Sequence, residues 1–329
     1  MLLINEQEIQ SIYKMQDALA DVEQILKAKE EKQIENPHRT VIEFPKHGAS
    51  VLYMPSSDLV NEMSTIKTVS IFPENPTVGK PTTQGVILVT DAQNGEHLAM
   101  MNASYLTRLR TGALSGLATD RLARNDATTL TVIGTGAMAF EQVIGVLAVR
   151  SIKKMMLVNP TTSKAEAFKE RLLEFGIDPT IQIEIVEDVA TAVRQADIIC
   201  CSTRSTTPVF DGNDVRPGTH VNGVGSYLPH MREMDHTFIT RCAKIVTDDE
   251  AGVKEEAGEI IFANEQDDWS YEDLHGELMD VVIGNVPGRE HADEITFFKS
   301  VGAAYFDLAV AQGVYRKAVE QQVGVEVLL

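Results

Sequence analysis

A stretch near the middle of the chain, Thr129 to Ala139 (TLTVIGTGAMA), restricts the fold more than any other. Five β-leaning residues, Thr129–Ile133, run straight into Gly134-Thr135-Gly136-Ala137-Met138-Ala139. A helix-like pattern then follows over Phe140–Arg150. A strand, a G-x-G-x-x-A turn and a helix start, in that order, form the phosphate-binding fingerprint of dinucleotide folds. Gly134 permits the tight turn, Gly136 lets a pyrophosphate approach the backbone, and Ala139 is small enough for the helix to lie close on the strand. The unpaired N–H groups and positive dipole end of that helix would bind the phosphates.

The rhythm around this turn supports the same reading. After it come strand Met155–Asn159, helix Ser163–Phe175, strand Ile181–Val186, helix Val189–Ala196, strand Ile198–Ser202 and strands at His220–Val224 and Lys244–Thr247. This is the alternation of a doubly wound parallel sheet. The first hundred residues lack it. Residues 5–33 carry apolar positions at helical spacing, as one helix or as two broken near Tyr13–Gln16. Short β-rich pieces follow at Thr40–Phe44, Ala49–Met54, Met63–Ile71 and Gly85–Thr90, and an Asn94-Gly95 turn leads to a return strand at Leu98–Met101. That is an antiparallel sheet with a leading helix. Helices are predicted over Ala103–Arg124 and Ala303–Gln321.

The second strand of the parallel sheet should end in the residue that reads the adenosine ribose; an acidic side chain there repels a 2′-phosphate. Here that position is Asn159, and Thr161 to Lys164 follow with groups able to donate to a phosphate, although no arginine is present to clamp it. NADP(H) and NAD(H) both remain open, with the balance towards NADP(H). The net charge of −19 argues against nucleic acid. Cys200 and Cys201 lie in an apolar run and read as small residues of a buried strand. Neither CxxC nor His/Cys metal spacing occurs, so no metal is expected. With three cysteines, Glu6 and Glu8 where a signal peptide would be basic and then apolar, and no run long enough to span a bilayer, a cytoplasmic protein is expected.

Further motifs extend over nearly the whole chain: Asn36-Pro37-His38-Arg39, Ile66-Lys67 before Phe72-Pro73-Glu74-Asn75-Pro76, Thr107-Arg108-Leu109-Arg110-Thr111-Gly112-Ala113, Val221-Asn222-Gly223-Val224-Gly225-Ser226, Gly276-Glu277-Leu278, Pro287-Gly288-Arg289 and Phe298-Lys299-Ser300-Val301-Gly302. With the glycine turn, they resemble the ornithine cyclodeaminase/μ-crystallin family, which also holds archaeal-type alanine dehydrogenases and ketimine or Δ1-pyrroline-2-carboxylate reductases. The resemblance implies a Rossmann domain (116–302) inserted into an α+β domain (1–115 with 303–329) that binds substrate and forms a homodimer. It implies a substrate carboxylate held by Arg39, Lys67 and Arg110, with Lys67 exchanging a proton with the reacting nitrogen. Planar guanidinium forks suit a carboxylate, and a lysine desolvated beside other cations is a workable acid or base near neutral pH.

Without the resemblance those three residues read more plainly: Lys67 as a solvated sheet lysine, Arg110 as an exposed salt bridge and Arg39 as a loop charge. Cofactor positions implied by the family are Thr82, the backbone of Ala137 and Met138, Thr203, the segment Val224-Gly225-Ser226-Tyr227 beneath the nicotinamide, and Ser300, which would equally serve as N-cap of the last helix. Tyr227 departs from the cyclodeaminases proper, which resemblance places with an aspartate there, in a Gly-Gly-Asp-x-Pro-Gly-Lys pattern. A tyrosine, of ordinary pKa about 10, is a poor base near neutrality. The expectation is therefore an NAD(P)H-dependent oxidoreductase at the C=N or C–NH2 bond of a small imino or amino acid. Cyclisation of ornithine to proline is the alternative, and Glu233 and Asp235 are read as helix-start charges.

Overall fold

The computed structural model describes residues 1–328. The chain divides into two compact units: Met1–Arg110 with the segment from Ala303 onward, and Thr111–Gly302.

The first unit begins with β1 (Leu2–Ile4), a strand the periodicity did not reveal because three residues carry no period. Helices α1 (Glu6–Ile12) and α2 (Met15–Glu30) follow. They are two helices: Asn5 caps the first in a reciprocal box with Glu8, and Tyr13 and Lys14 adopt extended backbone between them. Then come β2 (Ile34–Glu35), β3 (Thr40–Phe44), β4 (Ala49–Asp58), β5 (Met63–Ile71), β6 (Thr83–Asp91) and β7 (His97–Asn102). Helix α3 (Ala103–Leu122) carries the chain into the second unit.

That unit runs β8 (Thr129–Ile133), α4 (Ala137–Val149), β9 (Lys154–Val158), α5 (Thr162–Phe175), β10 (Gln182–Ile185), α6 (Val189–Gln195), β11 (Ile198–Cys201) and β12 (His220–Gly223). It continues with α7 (His236–Arg241), β13 (Lys244–Thr247), α8 (Glu250–Glu256), α9 (Gly258–Asn264), β14 (Gly276–Glu277), α10 (Leu278–Ile283) and β15 (Thr296–Lys299). The chain returns to the first unit with α11 (Ala304–Gln321) and β16 (Val325–Glu326).

In the first unit β4 to β7 form antiparallel ladders, while β1 joins β7 in parallel and pairs β16 on its other side. Helix α11 packs on β4, β5 and β6, and α2 packs on α11. The strands alternate accordingly. Met54, Thr65, Lys67, Ile87, Val89, Ala99 and Met101 are buried on the helix side. The opposite side shows Ile66 and Val86 exposed, with Pro55, Leu88 and Met100 half-buried.

In the second unit the sheet is parallel throughout, in the order β10-β9-β8-β11-β12-β15-β13-β14. The doubly wound reading holds, and α4 begins at Ala137 rather than Phe140 because Gly136 already serves as its N-cap. Cys200 and Cys201 lie in β11 at full burial, which pushes the Cys200 thiol up to about 12, so they are inert core residues as expected. Helices α3 and α4 meet at two glycines: a Cβ on Gly145 would lie 2.0 Å from the Gly112 carbonyl oxygen. Three short helices, α8 to α10, and strand β15 were not expected from the sequence.

Candidate active site

In the second unit the glycine turn has the form its sequence demands. Gly134 sits at φ +88°, and a Cβ there would fall 2.9 Å from the Thr203 methyl. Gly136 faces open space, with nothing within 4 Å of an added Cβ, and no side chain caps the first N–H groups of α4. Ala139 is fully buried at the helix–strand contact. An uncapped helix start behind an open glycine is a cradle for a pyrophosphate, with the Ala137 and Met138 N–H groups at its rim. These residues fit a nicotinamide dinucleotide.

At the end of β9 the Asn159 amide donates to Thr135 Oγ1 (2.8 Å), and its carbonyl accepts the Thr161 N–H (2.9 Å). Position 159, where a ribose-reading residue was expected, is therefore tied into the glycine turn. Thr161 is the N-cap residue of α5 but its side chain makes no capping bond.

The loops after β11 and β12 come together. The Val224 N–H donates to the Cys201 carbonyl (3.0 Å), and the N–H groups of Thr203 and Gly225 both donate to the Glu233 carboxylate. Glu233 is thus no helix-start charge; it is fully buried. Asp235, in contrast, caps α7 as expected, accepting the Phe238 N–H. Ser226 is locked from below: its hydroxyl donates to Glu259 (2.5 Å), and Lys299 Nζ donates to its carbonyl and hydroxyl oxygens. Lys299 and Glu259 themselves form a buried ion pair of 2.8 Å. Tyr227 follows, half-buried. The capping alternative for Ser300 is overturned. Its hydroxyl donates to Asp248 (2.6 Å), whose carboxylate also accepts the Val301 and Gly302 N–H groups, and α11 starts only after Ala303.

The first unit holds the cations. Thr82, half-buried just before β6, accepts the Phe72 N–H through its carbonyl. Lys67 projects from β5 onto α11, where its ammonium meets Asp307 at 2.5 Å; Arg110 Nε lies 3.4 Å from the other carboxylate oxygen. All three side chains are at least nine-tenths buried. The plain readings of Lys67 as a solvated sheet residue and Arg110 as an exposed ion pair are therefore wrong. β5 turns its odd positions towards α11, and helix α3 turns Arg110 the same way. Arg39, in the segment before β3, is partly exposed.

Burial lowers the Lys67 pKa to about 8; Asp307 opposes this, and Arg110 and Arg39 add to it. Burial pushes the Asp307 carboxyl up, but Lys67 and Arg110 outweigh it and hold the group below its usual range. The two shifts have different main causes: burial lowers the lysine, and the neighbouring cations lower the aspartate. Two buried cations, Lys67 and Arg110, share the Asp307 carboxylate, which leaves this buried trio with net positive charge. Asp307 is the residue that sequence reasoning missed. It lies in an apolar helix, among the buried residues Phe306, Leu308 and Val310, where a lone aspartate is itself the signal.

Comparison with known proteins places the whole chain within one family. A model of the ornithine cyclodeaminase/mu-crystallin family matches residues 1–322. A Δ1-pyrroline-2-carboxylate reductase of Bacillus cereus is 38% identical over 325 residues, 98% of each chain. The solved Δ1-pyrroline-2-carboxylate reductase of Thermococcus litoralis, in complex with NADH and L-proline, superposes with a TM-score of 0.94 at 35% identity, covering 99% of this chain and all of that one. An archaeal alanine dehydrogenase dimer with bound NAD gives 0.92 at 30% identity, over 100% and 99% of the two chains.

Proposed function

The chain belongs to the ornithine cyclodeaminase/mu-crystallin family and is a nicotinamide-dependent oxidoreductase of imino and amino acids; from that premise we propose that it reduces a cyclic 2-imino acid of the Δ1-pyrroline-2-carboxylate type to the amino acid. The observation that carries this reading is the buried cluster of Lys67, Arg110 and Asp307 with its unbalanced positive charge. A substrate carboxylate supplies the missing anion, and Arg39 and Arg110 offer it guanidinium donors. The Lys67 ammonium then stands as the acid for the imine nitrogen. The nicotinamide, when bound, supplies the hydride that adds to the substrate C2. As the C=N bond becomes C–N, the nitrogen takes the Lys67 proton, and the neutral amine of Lys67 regains one from solvent. A lysine lowered to about 8 is suited to this exchange near neutral pH.

Tyr227 supports reduction over ornithine cyclisation, because no carboxylate stands at that position of the loop. The open Gly136 cradle and the absence of an acidic residue at position 159 support acceptance of NADP(H) as well as NAD(H). Three unpaired cysteines support a reducing compartment, which we take to be the cytoplasm. Among the described residues no helix is long and apolar enough to cross a membrane. The uncovered apolar side of the first unit's sheet supports a homodimer.

Loss of 340 nm absorbance with Δ1-pyrroline-2-carboxylate, pyruvate plus ammonium, and other oxo acids tests the reaction. Turnover is expected with the cyclic imine. No turnover of either cofactor on any of them, with proline forming from ornithine and trace NAD+, would replace this reading with the cyclodeaminase one.

A further inference from the structure

In the parallel sheet the chain moves outward from β8 to β9 and β10, then returns to β11 on the other side of β8 and continues to β12. A dinucleotide lies across the carboxyl ends of the strands at such a reversal. With its pyrophosphate on the Gly134–Ala139 turn, the adenosine half belongs on the side of β9 and the nicotinamide half on the side of β11 and β12. The loops 202–205 and 224–227 are therefore the backbone that the nicotinamide half meets.

One side chain joins those two loops. Glu233 is fully buried; its Oε1 accepts the Thr203 N–H at 2.5 Å and its Oε2 accepts the Gly225 N–H at 2.8 Å. A second observation is independent of the carboxylate. A Cβ on Gly225 would lie 2.2 Å from the Thr203 carbonyl oxygen and 2.3 Å from its nitrogen, so the loops approach as closely as bare backbone permits. The segment bearing Glu233 is in turn laced to the first loop by main-chain bonds: the Arg232 N–H donates to the Ser205 carbonyl, and the Val209 N–H donates to the Glu233 carbonyl, each at 2.9 Å. Two buried N–H groups that point the same way need an acceptor with two oxygens. A carboxylate provides it.

We propose that Glu233 is a positioning residue for the nicotinamide half of the cofactor, its carboxylate stapling the Thr203 and Gly225 backbones so that the floor of the crevice is formed before the cofactor arrives. The inference rests on the dinucleotide reading of the second unit. Burial, with the neighbouring Glu259, raises the carboxyl pKa, and Lys299 and the Thr203 N–H oppose that rise. Glu233→Gln keeps the shape but replaces one acceptor oxygen with an NH2 that confronts an N–H.

The test is a pair of titrations, NADH and ADP-ribose, on wild type and Glu233→Gln. ADP-ribose carries the adenosine half and the pyrophosphate but no nicotinamide. The NADH Kd is expected to rise about ten-fold or more, with the ADP-ribose Kd unchanged within about two-fold. An unchanged NADH Kd, or equal weakening of both ligands, overturns the proposal. If Glu233→Gln does not fold, Glu233→Asp, which keeps both oxygens on a shorter arm, is judged by the same pair of constants. Binding of ADP-ribose to wild type checks the dinucleotide reading separately.

Discussion

Lys67 and Asp307 stand 240 positions apart in the chain and 2.5 Å apart in the fold. That separation explains what the sequence could and could not disclose about the site. Lys67 and Arg110, singled out through their flanking motifs, are brought together by the fold, whereas Asp307 becomes visible only when α11 is laid on β5. If Lys67 is the acid, Lys67→Met lowers the rate of imine reduction about 10²- to 10⁴-fold, while NADH affinity stays within about two-fold of wild type. An unaltered rate would remove Lys67 from the proton step.

The pH profile gives a finer test. Reduction needs the protonated amine, so kcat/KM for the imine falls as pH rises through about 8; oxidation of the amino acid needs the neutral amine and rises over the same range. Asp307→Asn removes the one charge that holds the Lys67 proton on. The limb for reduction should therefore move to lower pH. A limb that stays in place would separate Asp307 from the proton donor.

At the scale of elements, long and periodic segments were readable and short ones were not. The strands flanking the glycine turn and the two long helices α3 and α11 fall where periodicity put them. β15, Thr-Phe-Phe-Lys, escaped because four residues buried on both faces show no alternation. Yet β15 is central to the sheet: it lies between β12 and β13, and its Thr296 hydroxyl meets the His220 ring at 2.9 Å. On its other side the His220 ring meets the Asn222 amide oxygen, and burial pushes the imidazole down to about 3.

The folded chain therefore refuses a proton that the unfolded chain accepts below about 6.5. Stability is present above that pH and is lost as pH falls from about 6.5 towards 3, by up to about 1.4 kcal/mol per pH unit from this group. Denaturant melts at pH 6.5 and 4.5 should show a smaller acid loss in His220→Gln than in wild type. Equal losses would mean that the ring is protonated without penalty.

At the scale of the whole molecule, the sheet of the first unit is covered by α11 on one side only. Ile66 and Val86 stand exposed on the other, at 37% and 43%, beside Pro55, Leu88 and Met100. An exposed apolar face of this kind suits an association surface, the one that the proposed homodimer would use. If the proposed dimer forms through this face, Ile66→Asp together with Val86→Asp should shift the species seen by sedimentation from dimer to monomer. A dimer that survives both charges must use another face. In such a dimer, stability would become a matter of mass action. If pairing buries that face, each protomer lends its partner free energy that depends on how often they meet. The melting temperature should then climb with protein concentration, and specific activity should decay when the enzyme is diluted below the dissociation constant of the pair.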